Sequence, residues 1–154
     1  MIRIALTMLL LVATCFVGLG QGKKGAESPG PDQQKSPPSV SINPTSIDFG
    51  NQVATKTSAP RRITLTNTGG KKLYINSAVL GGDDQQDFIM SGDTCTGATI
   101  GPQKSCVIDV RFYPKRTGSK KAALTLTDSA NDSPQTVSLS GNGINSVDEP
   151  PRGP

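Results

Sequence analysis

The chain has 154 residues, with 16 Lys and Arg, 12 Asp and Glu, and neither histidine nor tryptophan. The absence of histidine excludes Ser-His-Asp and Cys-His catalytic sites and removes the commonest metal ligand in proteins. The net charge of +4 is small and spread along the chain, so it indicates neither a nucleic acid partner nor a membrane-binding surface.

Residues 1–20 have the pattern of a signal peptide. Arg3 gives a positive start, residues 4–17 are almost wholly apolar, and small residues precede a cleavage point between Gly20 and Gln21. We therefore predict export to the periplasm, the cell surface or the extracellular space.

Two alternatives to a cleaved leader stay open. Lys23 and Lys24, directly after the apolar stretch, favour an uncleaved membrane anchor under the charge-bias rule. The stretch from Val12 to Cys15 resembles a lipoprotein cleavage box, in which a lipid on Cys15 would tether the protein. Either alternative makes this a membrane-anchored structural protein of the cell surface.

Polar segments rich in proline flank the part of the chain that can fold. Residues 21–38 contain no large apolar residue, so they cannot bury enough surface to offset the entropy of ordering. Residues 144–154 are similarly polar and proline-rich. We predict a disordered linker at 21–38, a folded domain at 39–143 and a disordered tail at 144–154.

Short apolar runs, most of them alternating with polar residues, recur throughout the predicted domain. In chain order they are residues 40–42, 47–49, 63–65, 73–80, 88–90, 106–112, 122–126 and 137–139. A period of two is typical of strands with one buried face, and no segment sustains the helical period of 3.6. With turn residues between the runs, the pattern predicts an all-β, immunoglobulin-like β-sandwich of seven to eight antiparallel strands.

Two cysteines lie inside the predicted domain, since Cys15 leaves with a cleaved leader. Cys95 and Cys106 are an even pair in an exported domain, which predicts a disulfide worth about 3 kcal/mol on the chain-entropy model. Two reduced thiols are the alternative if the domain is not exported. Zinc is not indicated, because two thiolates without histidine leave a tetrahedral shell half filled.

Aspartates cluster in one Gly-containing loop that holds Asp83, Asp84 and Asp87, and Asp93 comes shortly after. Carboxylate oxygens in a loop can bind calcium, but this spacing matches no calcium-binding loop. Because Asp and Gly are ordinary turn residues, we assign the cluster to a turn and predict no metal site and no cofactor.

Basic residues form adjacent pairs at 61–62, 71–72, 115–116 and 120–121. Nucleic acid binding would need aromatic residues between them for stacking, and only Tyr74 and Tyr113 qualify. Charges at strand ends also protect sheet edges from aggregation, which is our interpretation of these pairs. An anionic wall polymer or lipid surface is the alternative partner. Ser-Lys catalytic pairs at 104–105 and 119–120 are not predicted, because adjacent strand residues point to opposite faces.

Four short motifs occur in a fixed order: D-F-G, N-T-G, F-x-P and L-S-G-x-G. They lie in the segments NPTSIDFGNQ, ITLTNTGGKKLYI, CVIDVRFYPKRTGSKKAALTLTD and SPQTVSLSGNG. These segments resemble the ASH domain of the Hydin and abnormal-spindle type, and are most similar to its bacterial exported relatives, the choice-of-anchor D proteins. The resemblance implies a sandwich akin to major sperm protein and the pilus chaperones, a disulfide between Cys95 and Cys106, and no catalytic residues.

Together these observations predict a non-enzymatic exported module that recognises a protein or cell-surface partner. In an open sandwich the edge strands carry unpaired backbone N–H and C=O groups, which can pair with an extended peptide. The first strand, split at Pro44, and the last, residues 136–140, are the candidate edges. An assembly chaperone of the pilus type is a further alternative.

Overall fold

The computed structural model describes residues 35–148, so the predicted leader, its cleavage point between Gly20 and Gln21, and Cys15 lie outside the described residues. The strands of this range are β1 Val40–Asn43, β2 Ser46–Val53, β3 Arg61–Asn67, β4 Leu73–Gly81, β5 Phe88–Asp93, β6 Thr99–Ile100, β7 Ser105–Phe112, β8 Gly118–Asp128 and β9 Gln135–Ile144. Single-turn 3-10 helices lie at Gln85–Asp87 and Ser146–Asp148. Between residues 35 and 148 no helix is long and apolar enough to cross a membrane.

The strands form two sheets, with strand orders β1-β3-β7-β5 and β2-β9-β8-β4-β6. The predicted all-β sandwich is confirmed, but the described range has nine strands instead of seven to eight. Pro44 separates β1 from β2, which join different sheets, and β6 is too short to show alternation in the sequence. β2 pairs with β9 in parallel, so the sandwich is not wholly antiparallel, because alternation says nothing about the direction of a neighbouring strand.

The prediction that residues 136–140 form a sheet edge is wrong. They belong to β9, which lies between β2 and β8 and pairs with both. The two halves of the first strand, β1 and β2, are edges as predicted, and the other edges are β5 and β6. After Pro44 the chain crosses to the second sheet, where β2 pairs with the side of β9 that faces away from β8, so β9 is not an edge.

The hydrophobic core lies between the sheets and contains the inward-facing residues of the alternating runs. Its largest fully buried apolar side chains are Phe112, Ile63, Leu65, Leu73, Ile75, Ile108, Leu124, Leu126, Leu139, Val110 and Val137. Phe49, Phe88 and Phe112 pack as a cluster, with ring centroids 5.0, 5.8 and 5.9 Å apart. Removing this apolar surface from water, at about 25 cal/mol per Å², is the main force that joins the sheets.

Three glycines of the sequence motifs, Gly69, Gly141 and Gly143, lie where no side chain fits. A Cβ on Gly141 would be 2.5 Å from the Phe112 ring, and a Cβ on Gly69 would overlap the backbone of Pro37. The L-S-G-x-G and N-T-G motifs therefore mark close approaches of the backbone to neighbouring residues.

Cys95 and Cys106 form the predicted disulfide, with Cα atoms 5.1 Å apart and both residues buried. The bond ties the segment after β5 to the start of β7, so it fastens one side of the first sheet.

Ser36 and Ser39, near the start of the described range, accept hydrogen bonds from the loop between β3 and β4. The Gly70 N–H donates to the Ser36 carbonyl at 3.2 Å, and the Thr68 N–H donates to the Ser39 carbonyl at 2.8 Å. At the other end, β9 continues to Ile144, beside Val53. Residue 36, assigned to the linker, and residue 144, assigned to the tail, thus bond to the domain, and the limits 39–143 stay a prediction.

Candidate functional site

The four edge strands differ in how well they could accept another strand. β1 has four residues, and β6 has two. β2 is interrupted at Gly50, which has a φ of +67° and whose N–H donates to Asp48 Oδ1 at 3.0 Å. β5 is interrupted between Met90 and Gly92. Short strands and bulges are common protections of sheet edges, and each of these edges has one of them.

β4 has an open side, although it is not the outermost strand of its sheet. Its neighbour β6 pairs with it at Leu73 and Tyr74 alone, and Ile75 exchanges backbone hydrogen bonds with Ala98 and Gly97. From residue 77 to residue 81, β4 pairs with β8 on one side, and no described strand pairs with it on the other. We call residues 77–81 the β4 edge.

The register identifies the unpaired backbone groups of the β4 edge. Residues of an antiparallel strand alternately turn their N–H and C=O toward the partner and away from it. Lys121 of β8 and Ser129, directly after β8, turn their backbone groups to the β4 side, because the Lys121 carbonyl accepts the N–H of Asp84, after β4, and the Ser129 N–H donates to the Tyr74 carbonyl. The odd-numbered residues of β8 therefore face β4.

By this alternation Thr125 of β8 bonds with Val79, its register partner. The backbone groups of Ala78 and Leu80, on either side of Val79, point away from β8. No hydrogen bond joins them to another residue of the described range. The β4 edge thus offers donors and acceptors in strand geometry.

The side chains of the β4 edge leave it unprotected. Ala78 and Leu80 pack against the core, whereas Val79 points outward and is 55% exposed. Residues 77–81 contain neither a charged residue nor proline, and from Ser77 on their register with β8 is regular, after a register shift between Ile75 and Ser77. Such an edge is a template for pairing with a second chain. The sequence shows one feature of the β4 edge, the absence of charge and proline. The other feature, that β6 covers only the start of β4, depends on the fold.

The aspartate loop is a structural clamp instead of an open carboxylate cluster. Asp84 Oδ2 accepts the Lys121 N–H at 2.9 Å, and Asp87 Oδ1 accepts the Lys115 N–H at 2.7 Å. Lys120 Nζ lies 3.6 Å from carboxylate oxygens of both aspartates. Within the described residues, no group of three or more Asp, Glu, Cys or His could hold a metal ion.

Asp93 and Asp109 likewise have structural partners. Burial opposes the charge of Asp93, but hydrogen bonds from Thr96 and Cys95 outweigh it and lower its pKa. Asp109 accepts two hydrogen bonds from Arg62, at 2.9 and 3.0 Å, and these bonds lower the pKa of its carboxyl. Both carboxylates are acceptors held at low pKa, which does not suit them to act as general acids or bases near neutral pH.

The serines beside lysines are not placed for catalysis. Ser105 Oγ lies 2.8 Å from Thr66 Oγ1, and Lys120, next to Ser119, lies close to the carboxylates of Asp84 and Asp87.

The fold also separates the basic pairs. Arg62 pairs with Asp109, whereas residues 71–72 lie at the opposite end of the sandwich from residues 115–116.

A comparison with protein families gives one match that covers most of the chain. Residues 37–144 match the family model described as Cep192 domain 4. No curated protein matches the sequence.

Among solved structures, the ASH/PapD-like domain 7 of human CEP192 is 17% identical with a TM-score of 0.51, over 70% of this chain and 86% of that one. The VesB protease of Vibrio cholerae is 16% identical with a TM-score of 0.53, over 67% of this chain, and the chain spans only 31% of VesB. A Porphyromonas gingivalis protein of unknown function is 14% identical with a TM-score of 0.56, over 68% of this chain and 46% of that one. At these identities the likeness shows the fold, which is of the ASH/PapD-like type.

Proposed function

The chain belongs to the Cep192 domain 4 family, and we propose that it is a non-catalytic binding module that recognises an extended segment of a partner protein. The β4 edge is the site of this recognition. The observation that carries the proposal is the regular, uncharged stretch of residues 77–81, with unpaired backbone groups at Ala78 and Leu80.

Strand addition suits this edge physically. A peptide that lies antiparallel or parallel to β4 pairs with the outward N–H and C=O groups, and main-chain bonds supply affinity. Each such bond contributes about 1 kcal/mol net, so a few bonds alone give weak binding. Apolar contact with the exposed Val79 side chain adds the sequence preference, which we expect to be for an aliphatic residue opposite it.

The compartment belongs to the same proposal. We place the module outside the cytoplasm, and the disulfide between Cys95 and Cys106 supports this, because structural disulfides persist in oxidising compartments. Mass spectrometry of the mature N-terminus separates the forms: a start at Gln21 means a cleaved leader, and an acylated Cys15 means a tethered protein.

Binding by edge variants tests the site. Peptides are selected from a random displayed library on the whole chain, and their affinity is then measured for Val79→Lys and for Ile89→Lys. Both residues are exposed on strands that have an open side, Val79 by 55% and Ile89, on β5, by 42%. We expect Val79→Lys to weaken binding on the order of tenfold, because a charged side chain there must lose hydration when a strand is added.

Ile89→Lys is the matched control and is expected to bind as the parent does. If Ile89→Lys weakens binding and Val79→Lys does not, β5 is the site and the proposal is wrong. If no selected peptide responds to either variant, strand addition at the β4 edge is also excluded.

A further inference from the structure

A second surface, at the end of the sandwich where the described chain begins, combines positive charge with an exposed aromatic ring. It is an open groove of about 600 Å³, lined among others by Lys71, Lys72, Tyr74, Ser129, Pro38 and Pro102. We call it the lysine groove. It shares no residue with the β4 edge, so a ligand of this groove is independent of the function proposed for that edge.

The domain does not neutralise the charge of these lysines. No carboxylate of the described residues lines the lysine groove, and neither Lys71 nor Lys72 forms an ion pair between residues 35 and 148. The groove at the opposite end differs, because Lys115 and Arg116 line it together with Asp84 and Asp87. Lys120 also lines that second groove, but Asp84 and Asp87 offset part of its positive charge, so an anionic ligand is favoured more at the first groove than at the second.

A buried hydrogen-bond network fixes both walls of the lysine groove. Asn67 is fully buried, and its Nδ2 donates to the Lys71 carbonyl at 2.8 Å and to the Ile100 carbonyl at 2.9 Å. Its Oδ1 accepts the Gly69 N–H at 3.0 Å. The loop that carries Pro102 is joined to the same residue, because the N–H of Gln103, held at a φ of +59°, donates to the Asn67 carbonyl.

This network places the lysine-bearing turn and the Pro102 loop before any ligand arrives. A binding surface that is already ordered loses less conformational entropy on association than one that must form around its ligand. The buried Asn67 is thus a positioning residue for the lysine groove.

The apolar part of the lysine groove determines which anion fits. Tyr74 is 51% exposed, and Pro38 and Pro102 belong to the same lining. An extended polyproline-type segment stacks on such rings and loses little entropy on binding, because it is already stiff. Nucleic acid would need several stacking rings, whereas Tyr74 is the one aromatic residue among the described residues that line the groove.

We propose that the lysine groove binds an acidic, proline-containing segment of a partner protein in an extended conformation. Carboxylates of the segment pair with Lys71 and Lys72, and its prolines pack against Tyr74.

Calorimetric titration of the whole chain, with its disulfide intact, tests this assignment. The probe is a synthetic peptide of alternating Glu and Pro, compared with peptides of alternating Gln and Pro and of alternating Glu and Gly. We expect the Glu-Pro peptide to bind most tightly and its affinity to fall with added salt. Lys71→Glu with Lys72→Glu should weaken it on the order of tenfold or more.

The matched control is Lys115→Glu with Arg116→Glu, which changes the net charge by the same amount at the opposite end and should leave binding unchanged. Tyr74→Ser should weaken the Glu-Pro peptide more than the Glu-Gly peptide. Lys71→Gln with Lys72→Gln repeats the test if the charge reversal perturbs folding.

Equal weakening by both charge-reversed pairs would mean non-specific attraction and would overturn the proposal. Tighter binding of phosphatidylglycerol vesicles or oligothymidylate than of the Glu-Pro peptide at Lys71 and Lys72 would overturn it in favour of lipid or nucleic acid. Val79→Lys should leave Glu-Pro binding intact, so the failure of one surface does not imply the failure of the other.

Discussion

At the scale of single residues, the sandwich depends on positions that accept one kind of side chain. Gly141 faces the Phe112 ring, and Asn67 satisfies its buried amide with three backbone groups. Asp128 is less well matched, because it is 7% exposed and its Oδ2 has no hydrogen-bond partner among the described residues. The first two positions stabilise the fold, and the third lowers its stability at neutral pH.

Gly141→Ala tests the close approach between the β9 backbone and the Phe112 ring. The added methyl group overlaps the Phe112 ring, which is fully buried and cannot move without disturbing the core. We expect a loss of about 1–3 kcal/mol in the free energy of unfolding, measured by urea denaturation. Gly81→Ala is the control, since no atom lies within 4 Å of the new Cβ, and it should change stability little. Equal losses in the two variants would contradict a steric role for Gly141.

Asp128 gives the fold a pH dependence of known sign. Burial raises the pKa of its carboxyl, and the charge of Asp132 raises it further, against a hydrogen bond from the Ala130 N–H that lowers it. A carboxyl with a raised pKa in the folded state destabilises that state at neutral pH. This penalty disappears as the pH falls through the folded-state pKa toward the unfolded value of about 3.9.

The stability of Asp128→Asn relative to the parent should therefore be greatest at pH 7. This difference in stability should shrink toward about pH 4. The measurement is the urea midpoint of both proteins at the two pH values. Asp83→Asn, at an exposed position of the β4–β5 loop, is measured alongside as the comparison variant. A parent protein that gains stability over Asp128→Asn as the pH rises would show that the Asp128 charge is favourable in the fold.

At the scale of elements, one side chain joins three parts of the chain. Asp87 precedes β5, its Oδ1 accepts the Lys115 N–H after β7, and its Oδ2 lies 3.6 Å from Lys120 Nζ on β8. The Asp87 carbonyl also accepts the Tyr113 N–H at 2.7 Å. The two sheets are thus clamped at this end by a buried carboxylate.

Asp87→Asn should cost about 1–3 kcal/mol, because the amide removes one of the two charged partners of Lys120 and can turn a donor toward its ammonium group. Calorimetric or urea unfolding measures the loss, with Asp83→Asn as the exposed neighbour for comparison. Stabilisation of the parent by added calcium that disappears in Asp87→Asn would show instead that the loop is a metal site.

At the scale of the whole molecule, the amino-acid sequence predicts where the strands lie and which of their faces is buried better than it predicts which strands lie side by side. Short apolar runs, most of them alternating, located each of the strands except β6, since burial of one face leaves a local pattern. The order of strands in a sheet leaves no such pattern, so residues 136–140 were wrongly assigned to an edge. For the same reason the β4 edge escaped prediction, whereas the disulfide was predictable from the even number of cysteines in the domain and the predicted export.

The central claim is that residues 77–81 accept a strand from another protein. Amide hydrogen exchange of the chain, with and without a peptide selected from the library, measures this directly. We predict slower exchange on binding at the amides of Ala78 and Leu80, which point away from β8, and little change at Val79, which is already paired. Protection confined to β1, β2 or β5, with Ala78 and Leu80 unchanged, would contradict the claim.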